Sequence, residues 1–311
     1  MINIALLGYG VVNTGLVEIL EEKKDDIKKA IGDDFKISKI LVKNPDKHQD
    51  IKNLLVKDIS EIVEDDTIDL VIEATGEVEE IGEDIKKILA SKNLISSNKA
   101  LVSRYFEDLE EISQKNKTKL RFDAAVGGAT PLIETLYTIR TLNDVKKFEG
   151  IVNGSCNFIL SKMEEGEDFD TALKKAQDLG FAEADPSDDI EGFDSLRKLR
   201  IVASILFKKP IKEEEISLEG ITKITKKDVE RASEDNKRYK LIAYADNEGR
   251  YEIRPRLVEK DSNFGTIKDN ENIFEIDCTN AKKLTFKAPG AEKRETGFAV
   301  LNDFLSIFSK R

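Results

Sequence analysis

One stretch of the sequence gathers side chains that could do chemistry: Gly180-Phe-Ala-Glu183-Ala-Asp185-Pro186-Ser-Asp188-Asp189-Ile-Glu191-Gly192-Phe-Asp194-Ser-Leu-Arg-Lys198. Glu183, Asp185, Asp188, Asp189, Glu191 and Asp194 precede a lysine that stands four places beyond the last of them. Grouped carboxylates suit a small molecule carrying an ammonium group, and a lysine beside them suits proton transfer. The same residues also fit a solvated loop ahead of a capped helix, with Asp194 and Lys198 an ordinary surface pair of small energetic worth. Pro186 and Gly192 break the first half into a loop. Asp188 with Glu191 three later has the form of a capping box, which predicts a helix start near Glu191. Inside that helix Asp194 and Lys198 are i and i+4 and share a face. The chemistry becomes specific only if the chain supplies a second reactant.

A chain of 311 residues has room for two domains, each with its own core. Charged residues make up 36% and apolar ones 40%, a composition of soluble globular proteins. The net charge of −11 argues against nucleic acid or an anionic membrane as the main partner. No apolar run approaches the roughly 20 residues of a membrane span. The N-terminus leads straight into a strand-like segment without a signal peptide. Cys156 and Cys278 form neither a disulfide framework nor a zinc pattern, so a cytoplasmic location is expected. The single histidine, His48, lies in a polar segment that reads as exposed. One such residue builds neither a Ser-His-Asp triad nor a multi-histidine metal site, which leaves acid/base work to Lys, Asp, Glu or Tyr.

The second reactant is suggested at the N-terminus. Ile2-Asn-Ile-Ala-Leu-Leu7 reads as a strand, runs into Gly8-Tyr-Gly10-Val-Val-Asn13-Thr-Gly15, and is followed by a helix with Val12, Leu16, Ile19 and Leu20 on its apolar side. Strand, glycine turn and helix form the context of a dinucleotide fingerprint. Gly8 permits the tight turn and Gly10 the approach of a pyrophosphate. The first helical residues, Val11 and Val12, then offer unpaired N–H groups to that anion. Asn13 stands where the third glycine is usual, and a plain tight turn fits the same residues.

Strand-like segments recur at Ile37–Val42, Asp69–Glu73, Leu94–Ser96 and Leu120–Asp123, with helical stretches at about 80–91 and 102–115. The alternation predicts an α/β fold with a Rossmann-type doubly wound parallel sheet, whose ligand crevice lies beyond the carboxyl ends of the strands. Glu73-Ala-Thr75-Gly76, Ser97-Asn98-Lys99-Ala100 and Asp123-Ala-Ala-Val126-Gly127-Gly128 fall at such ends. At the end of the second strand, where NAD enzymes usually place an acid, the chain has Lys43, with Lys57 a second cation. This favours NADP, with NAD the alternative.

Beyond Pro131 the chain continues through a helix, a strand at Phe148–Val152 and the turn Asn153-Gly154-Ser-Cys156-Asn157, which opens a helix; a further helix is expected at Asp168–Leu179. Strand-like segments such as Leu241-Ile-Ala-Tyr and Tyr251-Glu-Ile-Arg-Pro-Arg-Leu predict one mixed sheet. Phe298, Leu301, Leu305 and Phe308 are expected on one face of a closing helix.

This order of motifs resembles homoserine dehydrogenase, the NAD(P)-dependent family that interconverts L-aspartate 4-semialdehyde and L-homoserine. The Gly180–Lys198 stretch is similar to the family pattern G-[YF]-x-E-x-D-P-x-x-D-x-x-G-x-D-x-x-x-K. Gly154-x-x-Asn157, Asn98-Lys99, Val126-Gly127-Gly128 and the N-terminal glycine turn match in sequence order.

The resemblance implies a nucleotide-binding domain at 1–130 with about 292–311, and an α+β catalytic and dimerisation domain at 131–291, with no C-terminal regulatory domain and a homodimer. It implies that Gly8 and Gly10 hold the pyrophosphate, that Thr75 and Gly76 line the nicotinamide, and that Asn98 lies with the cofactor. Glu183 and Asp189 would bind the amino-acid substrate, and Asp194 and Lys198 would sit at the reacting oxygen, with Lys99 near the cofactor. Asp123, Val126 and Gly128 would offer backbone oxygens to Na+ or another monovalent cation, Asp123 standing where many members have Glu. The residues agree chemically with these roles. Hydride transfer to an aldehyde creates an alkoxide that a cation or proton donor stabilises, and burial would draw a lysine pKa toward neutrality. Backbone N–H groups near Gly154 could meet the substrate carboxylate.

Several features depart from the family: Asn13, the pair Ser155-Cys156 where hydroxyl residues are commoner, and a partial match at 288–297 to a Gly-x-Gly-Ala-Gly turn. Two other readings follow. One is a catalytically silent NADP-binding relative. The other is a thiol-dependent aldehyde dehydrogenase using Cys156, which would need an activating base the sequence does not supply nearby.

Overall fold

The computed structural model describes residues 1–290 and 293–309. Ala291 and Glu292, within the glycine-rich turn expected at 288–297, lie outside the described residues, as do Lys310 and Arg311. The chain divides into two units, Met1–Pro131 with Glu292–Arg311, and Leu132–Ala291.

In the first unit, β1 (Ile2–Leu7) leads through the glycine turn to α1 (Val11–Glu22) and α2 (Lys24–Ile31). There follow β2 (Phe35–Leu41), β3 (Leu55–Val56), α3 (Ser60–Val63), β4 (Leu70–Glu73), α4 (Gly82–Ser91), β5 (Asn93–Ser96), α5 (Lys99–Asn116), β6 (Leu120–Arg121) and α6 (Asp123–Val126). The six strands lie in the order β3-β2-β1-β4-β5-β6. All their pairings are parallel. Strand order reverses between β1 and β4, so the crevice of a doubly wound sheet opens beyond the ends of these two strands. Central strands covered on both faces must be apolar along their whole length, and Leu70, Val71 and Ile72 of β4 are buried accordingly.

Two expectations change here. Asp123 opens α6 instead of ending a strand. The C-terminal helix (Lys293–Phe308) buries Ala299, Val300, Leu301 and Phe304, whereas Phe298 is 48% exposed. The cause is a close helix contact: a Cβ on Gly297 would stand 2.7 Å from the Gly15 backbone, and one on Gly15 would strike the Lys293 carbonyl. With Gly297 facing α1, its neighbour Phe298 is rotated outward.

The second unit contains α7 (Ile133–Leu142), β7 (Val145–Ile151), α8 (Gly154–Glu164), α9 (Phe169–Asp178), α10 (Ser187–Ile190), α11 (Phe193–Phe207), β8 (Ser217–Leu218), α12 (Lys226–Glu234), β9 (Lys237–Asp246), β10 (Tyr251–Glu259), β11 (Glu271–Cys278) and β12 (Lys283–Pro289). Its sheet runs β12-β11-β7-β9-β10-β8. It is mixed, because β10 pairs β8 in parallel and its other pairings are antiparallel. Alternation along β7 turns Phe148 inward and leaves Lys147 and Glu149 on a polar face, where Arg256 bonds both Glu149 and Glu252.

Lys240 of β9 stands opposite Arg256 in the sheet register and is 2% exposed. Its Nζ donates to Asn157 Oδ1 and to the Ile267 carbonyl, each at 2.6 Å. Burial lowers this amine to about 7. The folded pKa therefore lies below the unfolded value of about 10.4, and between these limits the unfolded chain binds more protons, so stability rises with pH in that window. We expect Lys240→Met to remove this rise. Urea midpoints at pH 7 and pH 9 should then show the native protein gaining on the variant as pH increases; parallel midpoints would refute the assignment.

No helix among the described residues is long and apolar enough to cross a membrane.

Candidate active site

The nucleotide half begins at Gly8, whose φ is +85° and whose added Cβ would lie 2.6 Å from the Ala74 carbonyl. Only glycine suits that combination of left-handed backbone and close strand approach. Gly10 precedes α1 and faces open space, with no atom within 4 Å of a Cβ built there. The first turn of α1 has no side-chain cap and no acidic residue. Val11 is 66% exposed, unusual for valine, and Val12 is half-buried. A free helix start with an open approach fits a pyrophosphate.

Asn13 is fully buried and donates from Nδ2 to the Gly8 carbonyl at 2.8 Å, bracing the turn from behind. Close packing of the helix, the usual task of the third fingerprint glycine, falls to Gly15.

Beyond β4, the Thr75 N–H and hydroxyl both bond Glu73 at 2.8 Å. Asn98 caps α5 by accepting the Leu101 N–H, and Lys99 is the first residue of that helix. Lys43 is exposed and pairs with Glu77 at 2.5 Å. That hydrogen bond raises the Lys43 pKa. Lys57 donates its backbone N–H to Glu61.

Asp123, Val126 and Gly128 are all buried. The Asp123 carbonyl accepts the Gly127 N–H at 2.8 Å, and the Asp123 N–H donates to Asp303 at 2.9 Å. Burial, then the neighbouring Asp123, pushes the Asp303 carboxyl well above the usual range. Among the described residues no cluster of three or more His, Cys, Asp and Glu side chains is placed to hold a metal ion.

The second unit gathers a different set. Asn153 follows β7 and caps α8, its Oδ1 accepting the Cys156 N–H at 2.7 Å. Its Nδ2 donates to Asp189 at 2.7 Å and to Asp194 at 2.8 Å. Asp194, 2% exposed, also pairs with Lys198 at 2.9 Å across one turn of α11. Lys198 Nζ donates further to the Val152 carbonyl at 2.8 Å. The amine therefore has a fixed direction and a counter-ion, which an exposed i,i+4 pair would lack.

Of the six acids, Asp189 and Asp194 join this cluster. Glu183 is exposed, and its carbonyl accepts from Gln177. The expected capping box does not form: Asp188 pairs with Arg197, α10 ends at Ile190, and α11 begins after Gly192 at φ +93°. Gly154 opens α8 tightly against Asn270, and Asn157 serves the fold through Lys240 and the Asp269 carbonyl.

Cys156 is fully buried, and its thiol donates to the Asp189 carbonyl at 3.1 Å. Burial, then Asp189 and Asp194, pushes the thiol pKa well up, with Lys198 acting weakly in the opposite sense. His48 stacks edge-on against Tyr9 in the other unit. A protonated thiol without a base is no nucleophile. Cys156→Ser should accordingly keep most of the turnover, measured as kcat; its abolition would restore the thioester reading.

A parallel dinucleotide sheet with an open glycine turn, together with a half-buried lysine paired to a buried aspartate in a second unit, fits a nicotinamide-nucleotide oxidoreductase. The family model for homoserine dehydrogenase matches residues 131–305, and that for the homoserine dehydrogenase NAD binding domain matches 8–123. Homoserine dehydrogenase of Bacillus subtilis is 32% identical over 98% of this chain and 72% of its own length. The crystal structure of a homoserine dehydrogenase from Thiobacillus denitrificans is similar with a TM-score of 0.93 at 32% identity, over 99% of this chain and 73% of that one. A hyperthermophilic archaeal homoserine dehydrogenase in complex with NADPH has a TM-score of 0.84 at 25% identity, over 98% and 97%. The chain belongs to the homoserine dehydrogenase family.

Proposed function

We propose that this chain interconverts L-aspartate 4-semialdehyde and L-homoserine, with Lys198 moving the proton at the substrate oxygen. The observation that carries this is the hydrogen-bonded cluster of buried Asn153 and Asp194 with half-buried Asp189 and Lys198 in a chain of this family. A bound nicotinamide cofactor supplies the hydride acceptor or donor at the substrate carbon. The chain's residues do the rest. Gly8, Gly10, Val11 and Val12 hold the pyrophosphate, and Thr75, Gly76 and Asn98 bound the nicotinamide end. Asp189 and Glu183 take the substrate ammonium, and N–H groups at Gly154 take its carboxylate. Lys198, aimed by Asp194, protonates the alkoxide in one direction and receives the proton in the other, and Lys99 adds positive charge there. Asp123, Val126 and Gly128 offer backbone oxygens to a monovalent cation such as Na+.

NADP is the favoured cofactor. Lys43 would exchange Glu77 for the 2′-phosphate. Lys43→Ala should weaken NADPH about ten-fold and leave NADH nearly unchanged, since a charge-assisted bond is worth about 1.5–3 kcal/mol. Equal effects in a binding titration would remove the preference. A homodimer in the cytoplasm completes the reading, and sedimentation checks the association. The primary test is NADPH oxidation in the presence of L-aspartate 4-semialdehyde. Cofactor binding without turnover would favour the catalytically silent alternative.

A further inference from the structure

Glu73 ends β4 with its carboxyl group completely enclosed, at 0% exposure. None of the roles above uses it. Its Oε1 accepts the N–H and the hydroxyl of Thr75, both at 2.8 Å, and lies 3.5 Å from Asn98 Nδ2. Its Oε2 accepts the Ser96 hydroxyl at 2.5 Å. The pattern extends outward from there. Ser96 Oγ accepts the Asn98 N–H at 3.1 Å, and Asn98 donates from Nδ2 to the Glu77 carbonyl at 2.6 Å. Because the Thr75 hydroxyl spends its proton on Glu73, its oxygen is left to accept the Glu77 N–H at 3.1 Å.

One carboxyl group thus joins two segments that are distant in sequence. The first is the loop carrying Thr75 and Gly76; the second is the turn in which Asn98 caps α5 and starts it at Lys99. Burying an acid at a strand end is costly unless donors converge on it. An apolar residue like its neighbours Val71 and Ile72 would satisfy the sheet alone.

We propose that Glu73 is a positioning residue for the redox reaction, holding Thr75 and Gly76 at the nicotinamide end of the dinucleotide and fixing the start of α5 from which Lys99 projects. It acts through these residues and touches no reactant. The proposal rests on the redox reading above, and its test separates the two.

Glu73→Gln keeps the shape but places an NH2 group opposite the Ser96 oxygen, so the Ser96 hydroxyl loses its carboxylate acceptor and its proton must turn away, which weakens the tie between residue 73 and the Asn98 turn. The expected result is a folded variant whose kcat is lower by about ten- to a hundred-fold, the scale of a misplacement of about 1 Å. Its affinity for ADP-ribose, which lacks the nicotinamide ring, should stay within about two-fold of native, because the pyrophosphate turn is intact. The emission change of NADPH on binding should be diminished relative to the native protein. Ser96→Ala, which removes a single donor, should shift kcat and emission in the same sense by less.

An unchanged kcat in a folded Glu73→Gln protein would overturn the proposal, as would ADP-ribose affinity falling in step with kcat. If Glu73→Gln does not fold, unchanged kcat and emission in Ser96→Ala overturns it. A native protein that binds NADPH but does not turn over aspartate semialdehyde would refute the redox reading alone. The emission comparison then decides the role of Glu73.

Discussion

Lys198→Ala should lower kcat by about 10²–10⁴-fold, the range for loss of a positioned acid/base group. The dissociation constant for NADPH should move little, because Lys198 bonds Asp194 and the Val152 carbonyl in the second unit and none of the glycine-turn residues. Truncation leaves Asp194 at 2% exposure with the Asn153 amide as its remaining charge-stabilising partner named above. Some loss of thermal stability should therefore accompany the kinetic effect. Stopped-flow hydride transfer together with cofactor titration checks the pair of values. A proportional loss of cofactor affinity and turnover would contradict the assignment of Lys198 to the proton.

Asn153→Ala is expected to be nearly as damaging, by a different route. The amide donates to Asp189 and Asp194 while its oxygen caps α8. Its loss leaves two carboxylates side by side without their shared donor and frees the Cys156 N–H. Cap removal alone costs about 1 kcal/mol, and the loss of hydrogen bonds to charged groups costs about 1.5–3 kcal/mol more for each. The melting temperature should drop by several degrees. Turnover should fall by at least about a hundred-fold, since Asp194 would no longer hold Lys198 in one direction. Asn153→Asp tests the same point: it can still cap α8, but it sets a third acid against Asp189 and Asp194. A variant that caps well yet remains inactive would separate the two tasks.

Asn153 was not legible in the sequence, and the reason is physical. An asparagine between a strand and a helix looks like any N-cap. Its other two bonds reach residues 36 and 41 positions away, and no local spacing encodes them. Glu73 is similar: a charged residue closing an apolar run says nothing of the Ser96 and Asn98 groups that meet it. The doubly wound sheet was legible because strands covered on both faces must be apolar throughout, and a glycine turn before a helix is a local event. The capping box misled because Asp188 has another partner and a glycine intervenes before the helix. Arg197 takes Asp188, and Gly192 inserts a left-handed turn exactly one residue before α11 begins. Phe298 misled because a period-3.6 stripe identifies an apolar face without identifying which neighbour sets its rotation. The contact of Gly15 with Gly297 sets it.

That glycine contact has a consequence for how the protein is made. Ala299, Val300 and Phe304 belong to the same core as Ile4, Leu6 and Leu16. During synthesis the dinucleotide half therefore waits, with a strip of its interior uncovered, until the helix at Lys293–Phe308 leaves the ribosome, while the intervening half is contiguous and emerges earlier. A nascent chain halted before residue 293 should present greasy surface to chaperones and lack nucleotide affinity.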